Sequence, residues 1–373
     1  MLRPAPSFRT MSATSSRIGP LDTYRFLTVT LALLSHGLLE FNVSAVTDPS
    51  WWLVVRSVTR SATPGLLLLF GVMAEVVHYR RYRDLGPAMY PRLYRRMRQC
   101  YTTFVVLSAL VAVTRPESVG FVLRSFGFLT LEGYTVIFAL YFLLLGALVF
   151  VLPLRHRFGF GGLAVLVAAV WTISALVLAR LPLANDTFKA LADITIGRGG
   201  AWGPSAFHSL TLLVAGMAFG NVLYTSERRL DARVLAGVFL ALAVALVGLE
   251  MTHTGVRGFF EGITDLSKYR AHNSPIYYAY GILGAALTIP VAYALDEVLR
   301  GRARAAAHAL GSVTFSYFVI GNVLLILCPP YAVRSGWEAM LLVGGYLVVS
   351  AALTLAWRRF TVRQRQRRTS SGS

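Results

Sequence analysis

The sequence predicts an all-α, polytopic integral membrane protein, and three observations support that fold class. Of its 373 residues, 55% are hydrophobic and only 14% are charged, whereas a soluble globular domain carries about 25% charged residues. The mean hydropathy is +0.59. Apolar runs of about 17–25 residues, the length that spans a bilayer, recur along the whole chain. A soluble enzyme, a disordered chain and a secreted disulfide scaffold are thereby excluded, and the continuous runs argue against a membrane β-barrel.

The apolar runs predict about ten transmembrane helices in a single membrane domain, residues 21–356. Residues 1–20 form an N-terminal tail without a cleavage site, so we expect the first helix to be a signal anchor. Residues 357–373 are expected to be a basic, disordered tail near anionic lipid. The predicted helices are residues 21–43, 62–79, 99–115, 133–153, 161–180, 205–224, 233–251, 275–295, 309–328 and 338–356.

The distribution of basic residues predicts the orientation of these helices. The chain has 36 Lys and Arg residues against 17 Asp and Glu. The termini and the connections on their side of the membrane hold 24 of the basic residues, the opposite connections hold 11, and Arg25 lies within the first helix. Cytoplasmic loops carry the excess of Lys and Arg. Both termini are therefore expected in the cytoplasm, and the basic excess does not indicate nucleic-acid binding.

Four ionisable residues interrupt the first helix: Asp22, Arg25, His36 and Glu40. At about 100° per residue they share one face, and His36 lies about 16 Å along the helix from Arg25. Ionisable side chains at membrane depth are costly and usually functional. We expect His36 to act as a general base, Glu40 to orient it, and Arg25 to hold a phosphate. A buried polar ladder that joins helices is the alternative.

The spacing of Arg25, ten residues and then His36 resembles the signature of the acyltransferase-3 membrane family, and the chain is most similar to its periplasmic glucan succinyltransferase branch. The stretches Gly65–Met73 and Ala309–Val319 are similar to two further family segments, although Gly321-Asn322 replaces a histidine-bearing end. The resemblance implies transfer of an acetyl or succinyl-type group from acyl-CoA to a hydroxyl of a bacterial envelope glycan or glycolipid, at the plasma membrane. It implies that Arg25 and His36 are needed for activity.

Two basic or polar regions are candidates for substrate binding. Arg92, Arg95 and Arg96 lie three and four residues apart, so one helix face could present them to coenzyme A phosphates; positive-inside charge is the alternative. We expect Asp22, together with Trp202 and His272 of two long outer loops, to bind the acceptor. A solvated cap is the alternative for these loops.

The cysteines, the other histidines and Glu75 are not expected to be catalytic. The cysteines, Cys100 and Cys328, are predicted on opposite membrane faces and unpaired. The histidines do not have the spacing of metal ligands, so we expect neither a metal nor a permanently bound cofactor. Glu75 is expected to pair with an arginine of the loop that follows it. A transporter or flippase and a non-catalytic membrane scaffold remain alternative functions, and the sequence does not predict an oligomeric state.

Overall fold

The structure, a computed structural model, describes residues 18–115, 119–180, 185–198, 203–225, 229–328 and 331–370. These residues form helices and contain no strand, which confirms the all-α prediction. Short 3-10 turns (Val43–Val46, Gly86–Met89, Leu178–Arg180) and π-helical turns (Ala74–Tyr79, Leu266–Arg270) lie between the α-helices. The α-helices are α1 Gly19–Glu40, α2 Pro49–Arg60, α3 Ala62–Met73, α4 Arg80–Leu85, α5 Tyr90–Thr114, α6 Val119–Phe126, α7 Val136–Leu176, α8 Lys189–Ile196, α9 Ala206–Tyr224, α10 Leu230–Thr264, α11 Pro275–Val298, α12 Gly301–Ser312, α13 Thr314–Leu327 and α14 Gly336–Ser370.

Six helical segments of the described chain are long and apolar enough to cross a membrane, as a multi-pass membrane protein requires. The pair α12 and α13, bent by 87°, makes a seventh if the two are counted as one span. The ten helices and the cytoplasmic termini stay predictions. The six segments are Pro49–Thr114, Val136–Arg180, Ala206–Tyr224, Leu230–Thr264, Pro275–Val298 and Gly336–Gln364.

Helix α1 is 22 residues long, about 33 Å at 1.5 Å per residue, which is the thickness of the hydrocarbon core. It is less apolar than the six segments because polar and ionisable side chains interrupt it. It packs against α3, α11, α12, α13 and α14. A Cβ at Gly311 would lie 2.0 Å from the Asp22 carbonyl oxygen. Helix α12 therefore contacts α1 backbone to backbone, and α1 lies inside the bundle.

Helices α3 and α9 also pack through glycines. A Cβ at Gly71 would lie 2.1 Å from the Leu213 carbonyl oxygen, and one at Gly216 would lie 2.0 Å from the Leu68 carbonyl oxygen. Small residues at such contacts let membrane helices approach closely. Gly71, in the Gly65–Met73 stretch, thus has a packing role in this fold.

A buried ion pair joins the π-helical turn after α3 to the middle of α7, near the end of α9. Arg155 Nη2 donates to Glu75 Oε1 at 3.0 Å, and Asn221 Nδ2 donates to the same oxygen at 3.0 Å. The Arg155 guanidinium also lies over the rings of Tyr79 and Phe160. The expectation that Glu75 pairs with an arginine of the following loop is wrong, because its side chain points into the bundle, where Arg155 of α7 meets it.

Two further expectations about the connections are wrong. Residues 357–370 continue α14 as helix instead of forming a disordered tail, since Arg and Gln are good helix formers and no Gly or Pro interrupts them. The predicted helices leave residues 44–61 as a connection, but this segment contains helix α2, which starts at Pro49. The side chain of the preceding Asp48 accepts a hydrogen bond from the Ser50 N–H at 2.8 Å. Asp48 is a favoured residue for such a helix start.

Cys100 and Cys328 are both free, as expected.

Candidate functional site

The ionisable side chains of α1 face neighbouring helices, as their spacing predicts. Near the start of α1, Arg25 Nη1 donates to Asp22 Oδ1 at 3.2 Å, and Arg25 Nη2 donates to the Thr314 hydroxyl of α13 at 3.1 Å. Asp22 is buried, whereas the Arg25 side chain keeps 21% of its surface exposed. Asp22 is thus held as a partner of Arg25, whose side chain is only partly buried.

His36 is held by Asn322 of α13. The imidazole Nδ1 lies 2.8 Å from the Asn322 Oδ1 atom. The Asn322 amide is oriented by its other end, because its Nδ2 donates to the Phe318 carbonyl oxygen at 3.0 Å. Oδ1 can only accept a hydrogen bond, so Nδ1 carries the proton and Nε2 carries the lone pair. This is the tautomer that a general base needs at Nε2.

His36 lines a cavity of about 400 Å³ near the Glu40 end of α1. The imidazole packs edge-on against Tyr134 and tilted against Phe318, with ring centroids 5.3 and 5.7 Å away. The wall is apolar in part, and polar groups are set into it. A cavity of this size holds a small ligand or part of a larger one. The polar and charged residues at its wall are Ser35, His36, Thr59, Arg60, Thr63, Arg115, Glu132, Tyr134 and Arg270.

Glu40 makes no hydrogen bond or ion pair to His36 in the described structure, so the expectation that it orients the histidine is wrong. Its carboxylate accepts hydrogen bonds from Arg115 Nη2 at 3.0 and 3.2 Å and from the Tyr134 hydroxyl. Arg115 also lies 3.9 Å from Glu132. One helical turn separates Glu40 from His36, but α5 ends beside Glu40 and supplies a cation that attracts the carboxylate more strongly than a neutral imidazole does. Tyr134 lies between the two residues, because its hydroxyl bonds Glu40 and its ring packs against His36.

Three further arginines lie at the wall of the cavity or behind it. Arg60 and Arg270 line it, and Arg56 lies behind Ser35, with 2% of its surface exposed. Arg56 Nη1 donates to the Ser35 hydroxyl at 3.1 Å, Arg60 Nη2 to the Thr264 carbonyl at 3.2 Å, and Arg270 Nε to the Gly203 carbonyl at 2.6 Å. The cavity is therefore cationic beside these arginines.

Sequence reasoning missed Asn322, Arg56 and Arg60 as members of the site. The four-residue spacing of Arg56 and Arg60, just before an apolar run, is a signal for one face of a short helix. That signal was hidden because the segment was interpreted as a loop. Asn322 stands where the family segment has a histidine-bearing end, but the sequence does not show that it bonds His36, which lies 286 residues away.

The other predicted binding residues lie away from the cavity. Arg92, Arg95 and Arg96 are exposed near the start of α5, and Arg115, at the cavity, follows the other end of that helix. The separation from Arg96 to Arg115 is about 28 Å along α5 at 1.5 Å per residue. His272 is exposed and does not line the cavity. Trp202 lies outside the described residues.

Within the described part of the chain, no group of three or more His, Cys, Asp or Glu side chains is placed to hold a metal ion. A scan against protein-family models and a search of curated proteins both find no match to this chain.

Proposed function

We propose that this protein is a membrane-bound O-acyltransferase of the acyltransferase-3 type. It would move an acetyl or succinyl-type group from acyl-CoA to a hydroxyl of a glycan or glycolipid, with His36 as general base. One observation carries the proposal: a histidine fixed by Asn322 in the tautomer that leaves Nε2 free to accept a proton, at the wall of a cavity of about 400 Å³.

The chemistry follows from that tautomer. A hydroxyl of the acceptor donates to Nε2, and its oxygen attacks the thioester carbonyl as the proton moves to the imidazole. The tetrahedral intermediate collapses and breaks the C–S bond. The imidazolium returns the proton to the leaving thiolate, so the products are an ester and free CoA. Asn322 stays bonded to Nδ1–H throughout and keeps the ring from turning.

In the proposed topology, acyl-CoA and the acceptor reach the protein from opposite sides of the membrane. In this topology both termini lie on the cytoplasmic side of the plasma membrane, from which acyl-CoA comes. The residues that face this side are Arg25 and the exposed Arg92, Arg95 and Arg96. Their guanidinium groups suit the phosphates of CoA. The cavity at the Glu40 end of α1 faces the acceptor. Arg25 and His36 are about 16 Å apart along α1, so the extended arm of CoA has to reach between helices to bring the thioester to His36.

Two routes fit this arrangement. In direct transfer, the acceptor and the thioester meet in the cavity. In the covalent route, the Nε2 lone pair attacks the thioester carbonyl, the C–S bond breaks and CoA leaves as its thiolate. The acceptor hydroxyl then attacks the acyl-imidazolium, the C–N bond breaks, and the hydroxyl proton passes to the thiolate. Recovery of acyl label on His36, from protein denatured in the absence of acceptor, would exclude the direct route.

The test is release of free CoA thiol by the purified protein in detergent. The donors are acetyl-CoA, succinyl-CoA and longer acyl-CoAs, with a membrane glycan extract as acceptor. His36→Ala removes the proposed base, and His253→Ala, which changes an exposed histidine, is the matched control. We expect release by wild type and His253→Ala and none above background by His36→Ala. No release from any donor would refute the proposal and favour a transporter, for which substrate movement in liposomes is the next assay.

A further inference from the structure

The cationic wall of the His36 cavity is more than a helix junction requires. The guanidinium groups of Arg56, Arg60 and Arg270 lie near enough to one another and to His36 to interact electrostatically. They come from α2 and from the π-helical turn after α10, so three like charges converge from separate elements. Like charges in a partly buried site repel one another, and an anion between them offsets that repulsion by its attraction to each cation.

The hydrogen bonds that these arginines make inside the protein go to neutral acceptors. Ser35, the Thr264 carbonyl and the Gly203 carbonyl are their partners. No carboxylate of the described residues lies within ion-pair distance of the three. Arg56 Nη2 and Arg60 Nε are buried with no hydrogen-bond partner in the described structure. Two guanidinium nitrogens are thus left without a hydrogen-bond acceptor in a site where an unbonded donor is costly.

The acidic residues nearby are engaged elsewhere. Glu40 and Glu132 pair with Arg115. Asp265 attracts Arg60 from beyond ion-pair distance, but its carboxylate accepts hydrogen bonds from the Ser267 N–H and hydroxyl, both at 2.8 Å. A ligand that carries its own negative charge would compensate the excess of cations.

We propose that Arg56, Arg60 and Arg270 form an anion-binding subsite of the His36 cavity, which binds a carboxylate or phosphate group of the substrate. Arg60 and Arg270 would contact the anion, and Arg56 would position Ser35 and add positive charge from behind it. The inference rests on the proposed function only for its role in acyl transfer. The anion belongs either to the acyl group, as in a dicarboxylic acyl-CoA, or to an acidic sugar or headgroup of the acceptor.

Binding of simple anions tests the subsite without requiring catalysis. The full chain in a neutral detergent is titrated with succinate or inorganic phosphate at constant ionic strength, and the midpoint of thermal unfolding reports binding. Wild type should be stabilised by at least one of the two anions. Arg60→Gln and Arg270→Gln should weaken the apparent affinity about 10- to 100-fold, the scale for one charge-assisted hydrogen bond.

Two further variants serve as controls for the charge of Arg60 and for loss of an arginine outside the cavity. Arg60→Lys retains the charge, so it should bind more tightly than Arg60→Gln, and it shows that the position tolerates change. Arg257→Gln removes an arginine whose side chain is 80% exposed outside the cavity, and it should bind as wild type does. Absence of stabilisation by both anions in wild type, or equal stabilisation of Arg60→Gln and wild type, would overturn the proposal.

Acyl transfer then assigns the anion to donor or acceptor. Succinyl-CoA is compared with butyryl-CoA on octyl glucoside, and acetyl-CoA is offered with octyl glucoside or octyl glucuronide. A lower KM for succinyl-CoA that Arg60→Gln removes places the anion on the acyl group, and the same result for the glucuronide places it on the acceptor. Anion binding without CoA release would refute the proposed function but not the subsite. Transfer with no charge preference in either pair would refute the subsite alone.

Discussion

Replacement of Asn322 should slow acyl transfer because it frees the tautomer of His36. Asn322 is completely buried, and its Oδ1 lies 2.8 Å from His36 Nδ1. In Asn322→Ala the Nδ1–H has no acceptor at that place. The ring then gains by moving its proton to Nε2, where the lone pair is needed to take the proton of the acceptor hydroxyl.

The size of the effect follows from the cost of that lost bond. A buried donor without a partner costs about 1–3 kcal/mol, and each 1.36 kcal/mol of barrier is about tenfold in rate. We therefore expect kcat to fall about 5- to 150-fold in Asn322→Ala. KM should change little, because Asn322 does not line the cavity.

The assay is CoA thiol release over a range of acyl-CoA concentrations, normalised to folded protein by size-exclusion chromatography. Asn221→Ala is the matched control, since it removes a buried asparagine that bonds Glu75 instead of a histidine. The double variant His36→Ala/Asn322→Ala should be no slower than His36→Ala, because Asn322 acts only through His36. Wild-type kcat in Asn322→Ala would refute the reasoning.

Three further predictions concern the residues around the site. Glu40→Gln should lower the unfolding temperature, through weaker bonds to its partners, yet keep measurable CoA release; a complete loss of release, as in His36→Ala, would give Glu40 a direct role. Glu75→Gln should destabilise the fold by about 3–5 kcal/mol, because it leaves a buried charge without its counter-ion, and an unchanged unfolding temperature would contradict the ion pair. Gly216→Ala should destabilise by about 1–3 kcal/mol through overpacking, whereas Gly248→Ala, whose Cβ would meet nothing within 4 Å, should unfold near the wild-type temperature.

The parts of the fold that depend on local pattern could be predicted from the sequence. Apolar runs of bilayer length predict helices, and their length and hydropathy are properties of the segment alone. The common face of Asp22, Arg25, His36 and Glu40 follows from helical geometry, and the structure confirms that these side chains meet other helices. Helix α2 was missed because it is short and begins with a Pro-Ser-Trp-Trp stretch that reads as a loop.

Partners that come from distant segments could not be predicted. His36 and Glu40 lie one turn apart, so the sequence predicts that they pair. In the folded bundle His36 bonds Asn322 and Glu40 bonds Arg115. Glu75 likewise selects Arg155, 80 residues away, over the nearer loop arginines. Hydrogen-bond geometry and charge decide these pairings, and both depend on how α1, α5, α7 and α13 pack, which a single sequence does not state.

Recovery of an acylated acceptor is the most direct test of the proposed function. Purified protein is incubated with acetyl-CoA or succinyl-CoA that carries ¹⁴C in the acyl group, together with a membrane glycan extract. We predict label in a base-labile ester of the glycan or glycolipid with wild type and His253→Ala, and none with His36→Ala. Equal ester label with wild type and His36→Ala, or no ester with any protein, would contradict an acyltransferase that uses His36 as its base.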